Sequence, residues 1–124
     1  MFRPSQPASQ QQLHSVSTFQ RALDDLDGRL GDCDGLLAAL SHCVSEAKRS
    51  PGVDAKVACR EVSTAFYECN KAKTQRHSAM RSVCSDATAA FDGCMQKHCT
   101  EPETCLDTLT ALVACCEKRG VFSA

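Results

Sequence analysis

The chain has 124 residues, a formal net charge of −1, ten cysteines, and only five Phe and one Tyr as aromatics. That length implies one small domain, and an apolar fraction made largely of Ala and Cys gives it a thin core. The charge balance argues against nucleic-acid binding; no apolar run reaches the length of a membrane span; cysteine at about 8% of the chain points to an oxidising compartment.

Residues 1–16, rich in Gln, Ser and Pro, have little to bury and read as an extended or disordered arm. With one basic residue in the first 20 and no apolar h-region, the arm reads neither as a secretory signal nor as an amphipathic presequence. Residues 17–31 read as a short amphipathic helix, with Phe19, Ala22, Leu23, Leu26 and Leu30 at helical spacing. Ser17 and Gln20 have capping-box spacing at its start, and Gly28 or Gly31 marks its end. Asp24, Asp25 and Asp27 fall on its polar side, where solvation is the expected role. Two destinations stay open for the apolar stripe: across the chain's own hairpins, or onto a partner through Phe19, Leu23 and Leu26.

From Cys33 onward one pattern recurs four times, Cys-x5-Ala-(Leu/Phe)-x2-Cys, at Cys33–Cys43, Cys59–Cys69, Cys84–Cys94 and Cys105–Cys115. The aligned alanines are Ala39, Ala65, Ala90 and Ala111, each followed by Leu40, Phe66, Phe91 or Leu112. On a helix, positions ten apart are about 15 Å apart along the axis. A disulfide needs Cα atoms within about 7 Å, so each cysteine must find its partner on another helix. Two antiparallel helices stapled near the turn and near the open end satisfy every pair. In tandem this gives Cys33–Cys69 around Cys43–Cys59, then Cys84–Cys115 around Cys94–Cys105. The Leu or Phe fills the seam between staples, and the alanine beside it is expected to let the backbones approach. A zinc site would need ligands two to four residues apart on a short loop, whereas this spacing spreads them along a rod.

The expected fold is therefore all-α: two tandem disulfide-stapled antiparallel hairpins, at 32–71 and 83–119, joined by a basic linker at 72–82. In the first, a helix from Asp32 to Lys48 buries Leu36, Leu37, Leu40 and Val44, and Ser50-Pro51-Gly52 turns the chain, with Pro51 placed to start the return. Val57, Val62, Phe66 and Tyr67 supply the bulk of the returning helix. No Gly or Pro occurs from Val53 to Asp92, so a bend near 72–78 and a continuous helix both remain open. Lys71, Lys73, Arg76 and Arg81, with His77, form an acid-free basic run: a solvated face, or a contact for acidic lipid headgroups, an acidic partner or RNA. In the second hairpin, Thr100 and Glu103 have capping-box spacing with Pro102 in the first turn. The last helix runs to Lys118-Arg119 and stops at Gly120, leaving 120–124 as a short tail.

Cys99 and Cys116 stand outside the repeat. Cys99 lies in the second turn and Cys116 eleven residues past Cys105, out of reach of each other within one regular hairpin, so both are expected as unpaired thiols. His42, His77 and His98 form no ligand spacing. No phosphate loop, carboxylate pair or nucleophile motif is present. The sequence points to no enzyme, no cofactor and no resident metal.

At its four repeats the chain resembles a tandem pair of coiled-coil-helix-coiled-coil-helix (CHCH) domains, the twin Cys-x9-Cys family. The likeness covers about residues 32–119 and is carried by the cysteines with Leu40, Phe66, Phe91 and Leu112. It implies import into the mitochondrial intermembrane space and trapping there by the disulfide-relay import oxidoreductase. Phe66 with Cys69, and Phe91 with Cys94, are the residues it points to for that recognition. The Cys-Pro-Cys pair of the oxidoreductase and the double-cysteine start of the copper chaperones are missing. Four motifs in one chain resemble the double-CHCH, PGIV-type accessory subunits of respiratory complex I. The resemblance implies a structural subunit peripheral to the inner membrane, within a large complex. Subunits of ATP synthase or cytochrome oxidase, a soluble assembly or metal-transfer factor, and a mitochondrial ribosomal protein are the alternatives.

Overall fold

A computed structural model describes residues 5–123, with side chains from Thr18 onward. Six α-helices follow in order: α1 (Ser5–Leu30), α2 (Asp34–Arg49), α3 (Ala55–Ala58), α4 (Arg60–Val83), α5 (Ser85–Lys97) and α6 (Leu106–Lys118). Short 3₁₀ turns lie at Pro102–Cys105 and Val121–Ser123, and there is no strand among the described residues. Four disulfides join Cys33 to Cys69, Cys43 to Cys59, Cys84 to Cys115 and Cys94 to Cys105, with Cα separations of 5.8–6.1 Å. The molecule is thus two stapled antiparallel hairpins. The first pairs α2 with α3 and the start of α4; the second pairs α5 with α6.

The first cysteine of every motif stands where a helix begins, and Cys59 and Cys84 each interrupt a helical run. Cys33, Cys59, Cys84 and Cys105 have φ between −119° and −97° and ψ between 5° and 40°, and each caps the helix that follows it. This is the bridge region between α and β backbone. The break between the hairpins therefore falls at Cys84 and not near 72–78, and the expected linker 72–82 is regular helix within α4. Hydrogen bonds Cys84 N–H to Met80 O and Thr88 N–H to Cys84 O, both 2.9 Å, carry the ladder across the break.

Helix α1 is longer than expected. Its backbone is helical from Ser5, so most of the expected arm is helix and Ser17 lies mid-helix, where it cannot cap a start. Gln10–Leu13 are good helix formers and Pro7 falls in the first turn, so nothing breaks the segment. The arm's residues 1–4 lie outside the described residues. Gln20 Nε2 donates to Asp24 Oδ1 at 2.8 Å, an ordinary i,i+4 pair. Helix α1 ends at Leu30, and Gly31 permits the crossing over α4: a Cβ at Gly31 would stand 2.8 Å from the Lys73 Cβ.

Three local expectations are corrected. Ala39, Ala65, Ala90 and Ala111 are all exposed; one residue is about 100° of rotation, so when Leu40, Phe66, Phe91 and Leu112 face inward their neighbours face out. Pro51 does not start a helix. It shares a turn with Gly52 (φ +81°), closed by Val53 N–H to Ser50 O at 3.2 Å, and Asp54 caps α3 by accepting from Lys56 N–H at 3.0 Å. Thr100 and Glu103 form no capping box: α6 is entered through the Pro102–Cys105 3₁₀ turn, where Thr104 Oγ1 donates to Glu101 O at 2.7 Å.

The core is asymmetric. Phe19, Leu26 and Leu30 of α1 pack with Met80, Cys84, Cys105, Leu109, Leu112, Cys116 and Val121 in one buried cluster. None of its members belongs to the first hairpin, where Leu36, Leu40, Val44, Val62 and Phe66 are only half-buried and Leu37, Val57 and Tyr67 are exposed.

Candidate functional site

The amphipathic helix reaches its destination inside the molecule. Phe19 and Leu26 are buried and Leu23 packs against the cluster, so these three expected partner contacts are intramolecular. The apolar stripe of α1 had two possible surfaces, and the second hairpin supplies enough apolar area at α6 to take it. Each such side chain removed from water contributes about 1.5–3 kcal/mol.

The basic run divides the same way. Lys73 Nζ pairs with Asp27 Oδ1 at 3.1 Å, and Arg76 donates to Leu30 O at 3.2 Å, satisfying a carbonyl at the end of α1. Both expected partner contacts are thus spent on fastening α1 to α4. Arg81 pairs with Asp92 at 3.3 Å. Lys71 is exposed and remains available to a partner or an anionic surface. Arg29, which the sequence reading passed over, ties α1 to the C-terminus. It bonds Glu117 Oε2 at 3.0 Å, lies 3.7 Å from Asp25 Oδ2, and stacks 4.1 Å over the Phe122 ring. The expected tail is therefore structural, with Val121 buried beside it.

Cys99 and Cys116 are free thiols, one exposed and one buried. Burial pushes the Cys116 thiol above its ordinary pKa, opposed by the nearby Arg29 charge. Among the described residues, no three His, Cys, Asp or Glu side chains are grouped to hold a metal ion. No described helix is long and apolar enough to cross a membrane. Phe66 and Phe91 are half-buried, each one helical turn from its bridged cysteine, Cys69 or Cys94.

What remains unsatisfied is the first hairpin. Between α2 and the α3–α4 arm of the hairpin runs an open groove of about 310 Å³, lined by Leu40, Val44, Lys56, Arg60, Ser63 and Thr64 with Ala55 and Cys59. Leu37 stands 47% exposed one turn from Leu40, and Tyr67 64% exposed further along α4. This groove leaves the half-buried apolar side chains Leu40 and Val44 of the first hairpin in contact with solvent. No protein-family model, curated protein or solved structure matches the chain.

Proposed function

We propose that this protein is a non-catalytic accessory subunit of a mitochondrial inner-membrane respiratory complex, on its intermembrane-space face, with complex I as first choice. The observation that carries the reading is the pair of hairpins, each stapled at both ends by the four Cys-x9-Cys motifs. Such bridges persist in an oxidising compartment, and they hold a thin hairpin rigid without a core, as a buttress requires. On this reading Phe66 with Cys69 and Phe91 with Cys94 serve the import oxidoreductase while the precursor is still reduced and unfolded. Folding then turns both aromatics toward the seams.

The exposed free thiol of Cys99 favours a second reading, a soluble assembly or transfer factor. Native-gel migration of gently solubilised mitochondria, followed by mass spectrometry, separates the two. Stoichiometric comigration with one large membrane complex is expected and names the complex. Migration alone at small size overturns the subunit reading in favour of the factor.

A further inference from the structure

The internal repeat makes the two hairpins comparable residue by residue. Positions of α2 map onto α5 by adding 51, as Cys33 to Cys84 and Cys43 to Cys94. Positions of α3 and α4 map onto the last hairpin arm by adding 46, as Cys59 to Cys105 and Cys69 to Cys115. The groove of the first hairpin then falls on a surface that is already occupied in the second. Leu40, Val44, Arg60 and Ser63 correspond to Phe91, Met95, Leu106 and Leu109; Leu109 belongs to the cluster that α1 completes, and the other three are partly buried against it. Helix α1 lies along α6 and over the Pro102–Cys105 turn; the counterpart of that turn is Lys56–Cys59. Even the exposed Leu37 corresponds to Thr88, which is 5% exposed.

We infer that the groove of the first hairpin is the seat of an acidic amphipathic helix from a partner protein, laid across it as α1 is laid across the second hairpin. The geometry sets the stripe, since α1 meets its hairpin through Phe19, Leu23, Leu26 and Leu30, a spacing of i, i+4, i+7 and i+11. Charge sets the sign. Where the covered hairpin has Pro102 and Leu106, the open groove has Lys56 and Arg60; both are exposed, neither has an ion-pair partner among the described residues, and no carboxylate among them lines the groove. A helix with Glu or Asp flanking its stripe fits; a second copy of the chain does not, because the stripe of α1 is buried at home. The inference deepens the subunit reading and rests on it, since it supplies the contact by which the chain joins an assembly.

The test uses the full oxidised chain and synthetic helical peptides of about four turns, with a Leu stripe at the α1 spacing and either Glu or Lys on its flanks. In an NMR titration the Glu peptide should bind saturably, shifting the amides of Leu40, Val44, Ser63 and Thr64. It should bind about tenfold more tightly than the Lys peptide, the effect of two exposed ion pairs. Lys56→Glu with Arg60→Glu, both on exposed side chains, should invert that preference. Equal affinity for the two peptides, no saturable binding, shifts centred on the second hairpin, or a concentration-dependent dimer through the groove would each overturn the inference. In mitochondria, a wild-type chain that comigrates with a complex while the double-Glu variant comigrates equally well overturns the groove but leaves the subunit reading standing. If wild type itself migrates alone, the subunit reading falls and the peptide titration alone decides the groove.

Discussion

The two hairpins share one cysteine framework and differ in everything that covers it. In the second, Leu109 and Leu112 are 0% and 1% exposed because α1, the Arg29 contacts and the C-terminal turn close over α6. In the first, the equivalent Ser63 and Phe66 are exposed and half-buried. The staples are thus sufficient to hold helices antiparallel, but a dry core needs a third helix. The second hairpin is held by both; the first depends on its disulfides.

The largest test of that contrast is to remove one outer bridge from each hairpin. Cys33–Cys69 and Cys84–Cys115 close similar loops, with sequence separations of 36 and 31, so chain entropy assigns both losses about 4 kcal/mol. The outcomes should nevertheless differ. Cys33→Ser with Cys69→Ser is expected to abolish amide-exchange protection in α2 and the first half of α4, because little apolar burial remains there. Cys84→Ser with Cys115→Ser should lower protection in α5 and α6 without abolishing it. Equal loss in the two variants would show that α1 adds nothing to the second hairpin.

A smaller effect isolates packing from staples. Leu109→Ala removes a fully buried side chain and should cost about 3 kcal/mol in denaturant unfolding. Leu40→Ala, at a half-buried groove position, should cost under about 1 kcal/mol in the isolated chain. If Leu40→Ala proved as costly as Leu109→Ala, the first hairpin would have a core of its own, and its open groove would lose its meaning.

How much of this was legible depended on whether the chain carries its own ruler. The bridges could be read because a fixed nine-residue spacing leaves antiparallel pairing as the arrangement that satisfies all eight cysteines. The inward Leu and Phe followed from the same ruler. The break at Cys84 carries no Gly or Pro signal, since neither residue occurs between Val53 and Asp92. The signal was the repeat itself, whose first cysteine restarts a helix every time. The docking of α1 was legible only as one of two open destinations, since an amphipathic stripe records that a face is buried and not against what. Lys73 and Arg76 looked like a partner surface for the same reason: a basic run does not show that Asp27 and the Leu30 carbonyl will fold onto it.

The smallest expected effect lies in the thiol that the covered hairpin swallowed. Cys116 corresponds to Asn70 on the open side, an exposed residue, so only the second hairpin holds a titrating group in its core. Burial raises its pKa from the ordinary value of 9.0. The folded state therefore holds the proton to higher pH than the unfolded chain does, and by linkage stability falls as pH rises from about 9 toward the folded pKa. Below that window the group contributes no slope. Arg29 opposes the shift by favouring the thiolate. Cys116→Ala should cost about 1 kcal/mol near neutral pH through the small cavity it leaves, yet show a flatter decline of unfolding free energy above pH 9 than wild type. Parallel alkaline limbs in the two proteins would mean that the thiol is not sealed under α1, and that the second hairpin is more open than its packing indicates.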